Sequence, residues 1–296
     1  MRVAKYALII LLFLAGCKNS GEIIPSNQAT LNNNTKALAI LNRTISNGAN
    51  RDKFDILSID NKIVSTNIDS FRALSYKVSR FIARYNDIKF ENRGVAISCE
   101  SGSFEIKGKI DEQEIIFKDC KVNNTYLTGT IYFKNKIAKK SLLFNDFWAK
   151  EDAKEYIYIK DGAIETVGSD SVKIILDEAK FVKDDKFSGF RNFNSNLSLK
   201  SDSLILSLNG WVESECSRGW VKIRTNKNIK LKSYDLVVGD GCPKDGEILI
   251  QSDNSLSRIK NINIKFFPDY IEVDEDGKKS IIDCDNLGEF SNCKKI

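Results

Sequence analysis

From about residue 88 onward, apolar and polar positions alternate along the chain with period two. Phe104-Glu105-Ile106-Lys107-Gly108-Lys109-Ile110 alternates, as do Tyr156-Ile157-Tyr158-Ile159 and Leu204-Ile205-Leu206-Ser207-Leu208. Ile131-Tyr132-Phe133, Val221-Lys222-Ile223-Arg224, Ile248-Leu249-Ile250, Ile262-Asn263-Ile264-Lys265-Phe266 and Ile271-Glu272-Val273 continue the pattern. Successive strand side chains point to opposite faces, so this period predicts half-buried β-strands. Asn123-Asn124, Asp161-Gly162, Asn209-Gly210, Gly239-Asp240-Gly241 and Asp276-Gly277 fall between or beside these runs and read as turns, since these residues tolerate the positive φ that hairpins need. Many short strands at hairpin spacing predict a mainly β protein. It should be an antiparallel β-sandwich or an extended curved sheet.

A different period precedes the strands. Ile68, Phe71, Leu74, Val78, Phe81, Ile82 and Tyr85 recur at spacings of three and four, which predicts one N-terminal amphipathic helix over about 68–86. Thr66 or Asn67 can cap it, and Asp69 suits the positive end of its dipole. Arg72, Lys77, Arg80 and Arg84 fall largely on its other faces. The aromatic stripe fits packing against a sheet better than lying on a lipid surface.

The first 17 residues carry the clearest signal. Arg2 and Lys5 precede an apolar run from Tyr6 to Leu14, which ends in Leu14-Ala15-Gly16-Cys17. As a helix, nine residues reach only about 14 Å, whereas a bilayer core of about 30 Å takes roughly 20 apolar residues. The run therefore reads as a signal-peptide core and not as a span. The closing tetrapeptide resembles the lipobox of bacterial lipoproteins. The resemblance implies cleavage before Cys17, lipidation of its thiol, export, and membrane attachment through the lipid alone. Several acyl chains on one residue make such an anchor stable, where one would bind reversibly. Lys18 follows where an inner-membrane retention signal would resemble Asp, which favours the outer membrane.

The expected organisation is a signal peptide at 1–16, a lipidated cysteine and flexible tether at 17–50, a helix-plus-β domain at 51–200 and a C-terminal β module at 201–296. The tether is inferred from the polar run Lys18-Asn19-Ser20 and from Asn32-Asn33-Asn34, which lack apolar periodicity. Leu127-Thr128-Gly129-Thr130-Ile131 echoes Leu208-Asn209-Gly210-Trp211-Val212 at an offset of 81 residues, so two diverged β units are conceivable. Gly219-Trp220-Val221-Lys222-Ile223-Arg224-Thr225 is followed by Cys242-Pro243-Lys244-Asp245-Gly246 and by Ile271-Glu272-Val273-Asp274-Glu275-Asp276-Gly277. That succession resembles the β-rich C-terminal module of uncharacterised bacterial surface lipoproteins. The resemblance implies no activity.

Composition narrows the chemistry. The chain has no histidine. A Ser-His-Asp or Cys-His hydrolase, a His-ligated zinc and a histidine base are therefore excluded. Of 45 cations, Arg2 and Lys5 leave with the leader, so 43 face 40 anions at a net +3. This is a mixed surface and no nucleic-acid footprint. Seven cysteines become six once Cys17 is lipidated. An even number in an exported chain predicts disulfides. Sequential pairing would give Cys99–Cys120, Cys216–Cys242 and Cys284–Cys293, since each pair flanks turn signals that return the chain to a neighbouring strand.

Two candidate sites can be weighed. Asp274-Glu275-Asp276-Gly277, with Asp283, invites a calcium reading, but an EF-hand loop needs oxygen donors at 1, 3 and 5 before its glycine. The spacing here is one alternation short and suits a hairpin turn, so no metal or cofactor is expected. Phe144-Asn145-Asp146-Phe147-Trp148 and Phe266-Phe267-Pro268-Asp269-Tyr270 set aromatics beside acids. Such clusters could bind sugars or, with a carboxylate pair, hydrolyse glycosides, but packing in the core and at strand edges is the expected role. Asn42-Arg43-Thr44 and Asn123-Asn124-Thr125 fit a glycosylation sequon, incidental in a lipobox-bearing chain. The sequence thus points to a non-enzymatic envelope or surface protein that binds a partner, itself unidentified. An apolar-ligand carrier in envelope assembly and a carboxylate-based hydrolase are the alternatives.

Overall fold

The computed structural model describes residues 24–30 and 99–283, apart from 110, 123–124, 137–138, 152–154, 168–170, 184–185, 201–202, 215–216, 218 and 233–242. The helix expected over 68–86, the lipobox with Cys17, and Cys216, Cys242, Cys284 and Cys293 lie outside the described residues.

Thirteen antiparallel strands follow one another in a single open sheet, each paired with the next in sequence. They are β1 (Ser101–Lys109), β2 (Glu112–Val122), β3 (Thr125–Lys136), β4 (Lys139–Lys150), β5 (Glu155–Val167), β6 (Ser171–Lys183) and β7 (Lys186–Lys200). After these come β8 (Ser203–Ser214), β9 (Val221–Lys232), β10 (Asp245–Gln251), β11 (Asn261–Phe266), β12 (Tyr270–Glu275) and β13 (Lys278–Asp283). The described residues of the alternating runs named above all lie within strands. Of the two expected architectures, the described residues form one extended sheet and not a two-sheet sandwich. On either side of the expected 200/201 division β7 and β8 pair from Ser188↔Ser214 to Lys200↔Ser203, with one register shift between Arg191 and Asn194.

One face of the sheet carries the core. The row Phe147↔Ile159↔Ala179↔Phe190↔Val212↔Val221 crosses six strands, and all six residues are buried. In β10, β11 and β12 the alternation is strict: Ile248, Ile250, Ile262, Ile264, Ile271 and Val273 are buried on this same apolar side. Burying one such side chain contributes about 1.5–3 kcal/mol, so the period-two pattern is itself what fixes the register.

Asp161-Gly162 and Asn209-Gly210 are not turns. The first lies inside β5 and the second inside β8, and the ladder shifts register at both places. An extra residue in one strand is a β-bulge, which bends the strand and in some forms takes a left-handed residue; Gly210 has φ of 142°. Asp119, Asp146 and Asn192 have φ of 50°, 44° and 44°, and each sits mid-strand in β2, β4 or β7. Each opposes a positive-φ glycine on the adjoining strand. A Cβ on Gly102 would lie 2.1 Å from the Asp119 carbonyl oxygen, one on Gly129 2.1 Å from that of Asp146, and one on Gly210 2.6 Å from that of Asn192. Asp276-Gly277 is a true turn, between β12 and β13.

The bulges explain the sequence echo. Gly129 opposes the following strand and Gly210 the preceding one, so the two segments are not equivalent parts of a repeat. A better repeat runs at 27 residues. Gly102 and Asp119 of the β1–β2 pair correspond to Gly129 and Asp146 of the β3–β4 pair (129 against 102, 146 against 119). Lys107, Lys109 and Phe117 likewise correspond to Lys134, Lys136 and Phe144.

Part of the stretch expected to be a tether is docked. Gln28 forms a parallel bridge with Trp220. Ala29 N–H donates to the Trp220 carbonyl and Trp220 N–H to the Asn27 carbonyl, both at 2.8 Å. These two bonds go through backbone groups, which apolar periodicity does not announce.

Candidate functional site

A strand buries one set of residues and presents the next. Beside the core row runs a second row on the opposite face: Thr128↔Trp148↔Tyr158↔Lys180↔Gly189↔Glu213. The cluster Phe144-Asn145-Asp146-Phe147-Trp148 is thereby divided. Phe144 and Phe147 belong to the core, while Trp148 stands on the outer face with 37% of its surface exposed. Its ring stacks on Tyr158 at 4.3 Å between centroids and tilts against Tyr156 at 5.6 Å. Directly opposed and diagonal partners on one face are close enough for such contacts. Tyr126, 42% exposed, stands two residues before Thr128 on the same face.

The bulges aim acids at this row. With left-handed backbone at Asp146, its Oδ1 accepts from the Tyr158 hydroxyl at 3.3 Å. At the equivalent position one hairpin earlier, Asp119 Oδ1 accepts from the Thr128 hydroxyl at 2.9 Å. Burial raises the Tyr158 hydroxyl pKa, and the Asp146 carboxylate adds to the effect. Tyr158 therefore stays a neutral hydrogen-bond donor.

At the far end of the row Glu213 is half-buried. Desolvation raises its pKa above the ordinary carboxylate value, and the nearby cations Lys180 and Arg191 offset only part of that. Gly189 makes room here for an aromatic ring: a Cβ on it would lie 3.1 Å from the Trp220 indole. The Arg191 guanidinium lies 4.9 Å from the centre of that indole and 3.7 Å from the Glu178 carboxylate. The outer face thus presents an aromatic section at β3–β5 and a mixed-charge section at β6–β9. This suits multipoint recognition, because tyrosine, tryptophan and arginine supply large contact areas with a polar end.

The other candidates resolve into structural roles. Asp274 Oδ1 accepts from Gly277 N–H at 2.7 Å. The Asp276 carboxylate accepts from the Lys260 and Asn261 backbone at 2.8 and 3.2 Å. Both acids close turns. Asp283 lies at the end of β13, and among the described residues no three His, Cys, Asp or Glu side chains gather as a metal site would require. Phe266 is in the core, and Phe267 stacks on Tyr270 at 4.5 Å across the β11–β12 connection. Cys99 and Cys120 form the expected disulfide, with Cα atoms 5.1 Å apart, joining the start of β1 to β2.

The charged half of the row was not foreseen. Glu213, Lys180 and Arg191 lie on three strands, and only the register brings them together. The signal available was the Phe-x-Asx-Φ spacing in Phe117-Lys118-Asp119-Cys120, Phe144-Asn145-Asp146-Phe147 and Phe190-Arg191-Asn192-Phe193. Buried residues three apart in a strand require a bulge between them. Compared with protein-family models, with curated proteins and with solved structures, the chain finds no match.

Proposed function

We propose that this protein is an exported, lipid-anchored component of a bacterial cell envelope that binds a partner without catalysing a reaction. The lipid is carried on Cys17 after removal of residues 1–16, and the outer membrane is its place. The partner meets the outer face of the sheet along the row from Trp148 to Glu213. The observation that carries this reading is the exposed Trp148–Tyr158 stack with charged residues continuing the same row.

Two features favour binding over the alternatives. The core face is filled by interlocking rings, Phe117–Phe147 at 6.2 Å, Phe144–Phe147 at 5.5 Å and Phe190–Phe193 at 4.9 Å, which suits a packed interior more than an apolar cargo. Glu213, the described carboxylate raised by burial, has cations and not a second carboxylate as its charged neighbours, and glycoside hydrolysis works through a carboxylate pair.

The test combines fractionation with cross-linking in cells. Cys17→Ser should move the protein out of the membrane fraction. A photo-crosslinking amino acid at Lys180, which is exposed within the row, should give a discrete adduct that one at Ile281 does not. Retention of the Cys17→Ser protein after a carbonate wash would refute the anchor. Identical cross-linking from both positions would refute the partner face.

A further inference from the structure

Residues 24–30 form a strap on the sheet. Besides its two backbone bonds to Trp220, it is gripped by the connection between β10 and β11. Asp253 N–H donates to Gln28 Oε1 at 2.7 Å, Asn254 Nδ2 to the Gln28 carbonyl at 2.6 Å, and the Ser252 hydroxyl to the Ala29 carbonyl. Pro25 and Ala29 are buried, and Ala29 joins the core. Gly219 (φ 150°) permits the approach, because a Cβ there would lie 2.9 Å from Ala29 N and 3.0 Å from its Cα.

The strap has one consequence for everything before it. Cys17 precedes Ile24 by seven residues, and a fully extended chain spans at most about 3.3–3.6 Å per residue. A lipid on Cys17 therefore holds Ile24 within about 25 Å of the acyl region. Two large apolar side chains stand exposed on these segments, one on the strap and one on the connection that grips it. Ile24 is 62% exposed, and Leu256, at 78%, is the most exposed large apolar residue among those described. One side chain ties the strap to the turn that carries Leu256. Asn254 donates to the strap through Nδ2 and, through Oδ1, accepts from Leu256 N–H at 2.9 Å. Ser257 N–H donates to the Asn254 carbonyl at 2.9 Å and holds the turn that presents Leu256.

Resting on the lipid-anchor reading above, we infer that the β10–β11 connection is the surface this protein lays on the bilayer, with Leu256 entering the headgroup region. Apolar side chains on an amphipathic surface enter that boundary when something holds them there. One leucine would not bind a vesicle alone, but the lipid supplies the local concentration. Asp253 and Arg258 are exposed on the same connection, and Lys260, partly buried, donates its Nζ to the Asn254 carbonyl, so the connection carries a single net positive charge. The contact is chiefly apolar and should depend only weakly on salt and on anionic lipid.

The experiment uses the full, lipidated chain in phosphatidylcholine vesicles with brominated acyl chains. An environment-sensitive fluorescent amino acid replaces Leu256 in one preparation and Ile281 of β13 in another. Quenching at 256 should exceed that at 281 by about threefold or more, since contact quenching needs burial at the acyl boundary, and added salt should not change it. Equal or weaker quenching at 256, with protein that floats with vesicles and a Cys17→Ser form that does not, overturns the membrane-facing assignment and leaves the anchor standing. A Cys17→Ser protein that still floats overturns the anchor, and with it this inference.

Discussion

Gly129 and Asp146 face one another across the β3–β4 pair, both in left-handed backbone, with φ of 101° and 44°. Gly129 also stands between Phe117 on β2, its register partner, and Phe147 on β4. Those two rings meet edge-on at 6.2 Å across the intervening strand because nothing projects from it.

Gly129→Ala should therefore be severely destabilising. The new Cβ would lie 2.1 Å from the Asp146 carbonyl oxygen and 2.7 Å from the Phe147 Cα, and both are backbone atoms that cannot swing aside. A loss of about 3 kcal/mol or more is expected, as for other strained or overpacked sites. Gly277→Ala is the control. Its φ is 97°, but a Cβ there meets nothing within 4 Å, so only the left-handed penalty of about 1–2 kcal/mol applies. Urea midpoints of the two variants should differ in that order.

This bulge shows where the sequence was legible. Period two identified the strands because each buries one face, and cysteine spacing identified Cys99–Cys120 because Cys120 lies one hairpin return from Cys99. Asn209-Gly210 misled because a glycine at positive φ serves a hairpin turn and a mid-strand bulge alike, and the buried residues Leu208 and Trp211, three apart, mark the bulge. Asp161-Gly162 misled because an Asp-Gly pair also fits a bulge in which neither residue has positive φ. The choice between sandwich and single sheet depends on which strands pair, a long-range matter that alternation does not encode. The strap was invisible for another reason: all but one of the bonds that hold Asn27, Gln28 and Ala29 run through their backbone, and the exception uses the Gln28 side chain, which no apolar pattern marks.

The disulfide should matter for the edge of the sheet. Among the described residues β1 pairs on one side only, with β2, and its residues are mostly exposed. The bridge closes a separation of 21 residues. Replacing both Cys99 and Cys120 by Ala should cost about 3 kcal/mol in the chain-entropy model. Limited proteolysis should show the effect first at β1, with the β9–β12 region still protected. Uniform loss of protection would mean that the bridge supports the whole sheet.

The Trp148–Tyr158 stack should contribute little to stability, consistent with its position on the exposed face. A double-mutant cycle with Trp148→Ala and Tyr158→Ala should return a coupling of about 0.5–1.5 kcal/mol, the range for aromatic pairs. Part of that reports the Tyr158 hydroxyl, which also donates to Asp146. Tyr158→Phe separates the two contributions, keeping the ring contact and losing the hydrogen bond. A coupling near zero would mean that the rings do not stack in solution.

Glu213 gives a pH dependence of defined sign. Its pKa is raised, first by desolvation, with Lys180 and Arg191 opposing. In the unfolded chain the carboxyl ionises at the ordinary glutamate value, so between that value and the folded one the native state holds more protons. Stability then falls as pH rises through this interval and levels off above the folded pKa. Below the ordinary glutamate value both states are protonated and the contribution is fully present. Glu213→Gln, uncharged at every pH, should therefore match the wild type in acid and exceed it at neutral pH. Lys180→Met should act oppositely: with one offsetting cation gone, the Glu213 pKa rises further and the decline extends to higher pH. Thermal unfolding of the three proteins from acid to neutral pH would show this as curves that converge in acid and fan out above it. A Glu213→Gln protein less stable than the wild type at neutral pH would mean that attraction to Lys180 and Arg191 outweighs the burial of the charge.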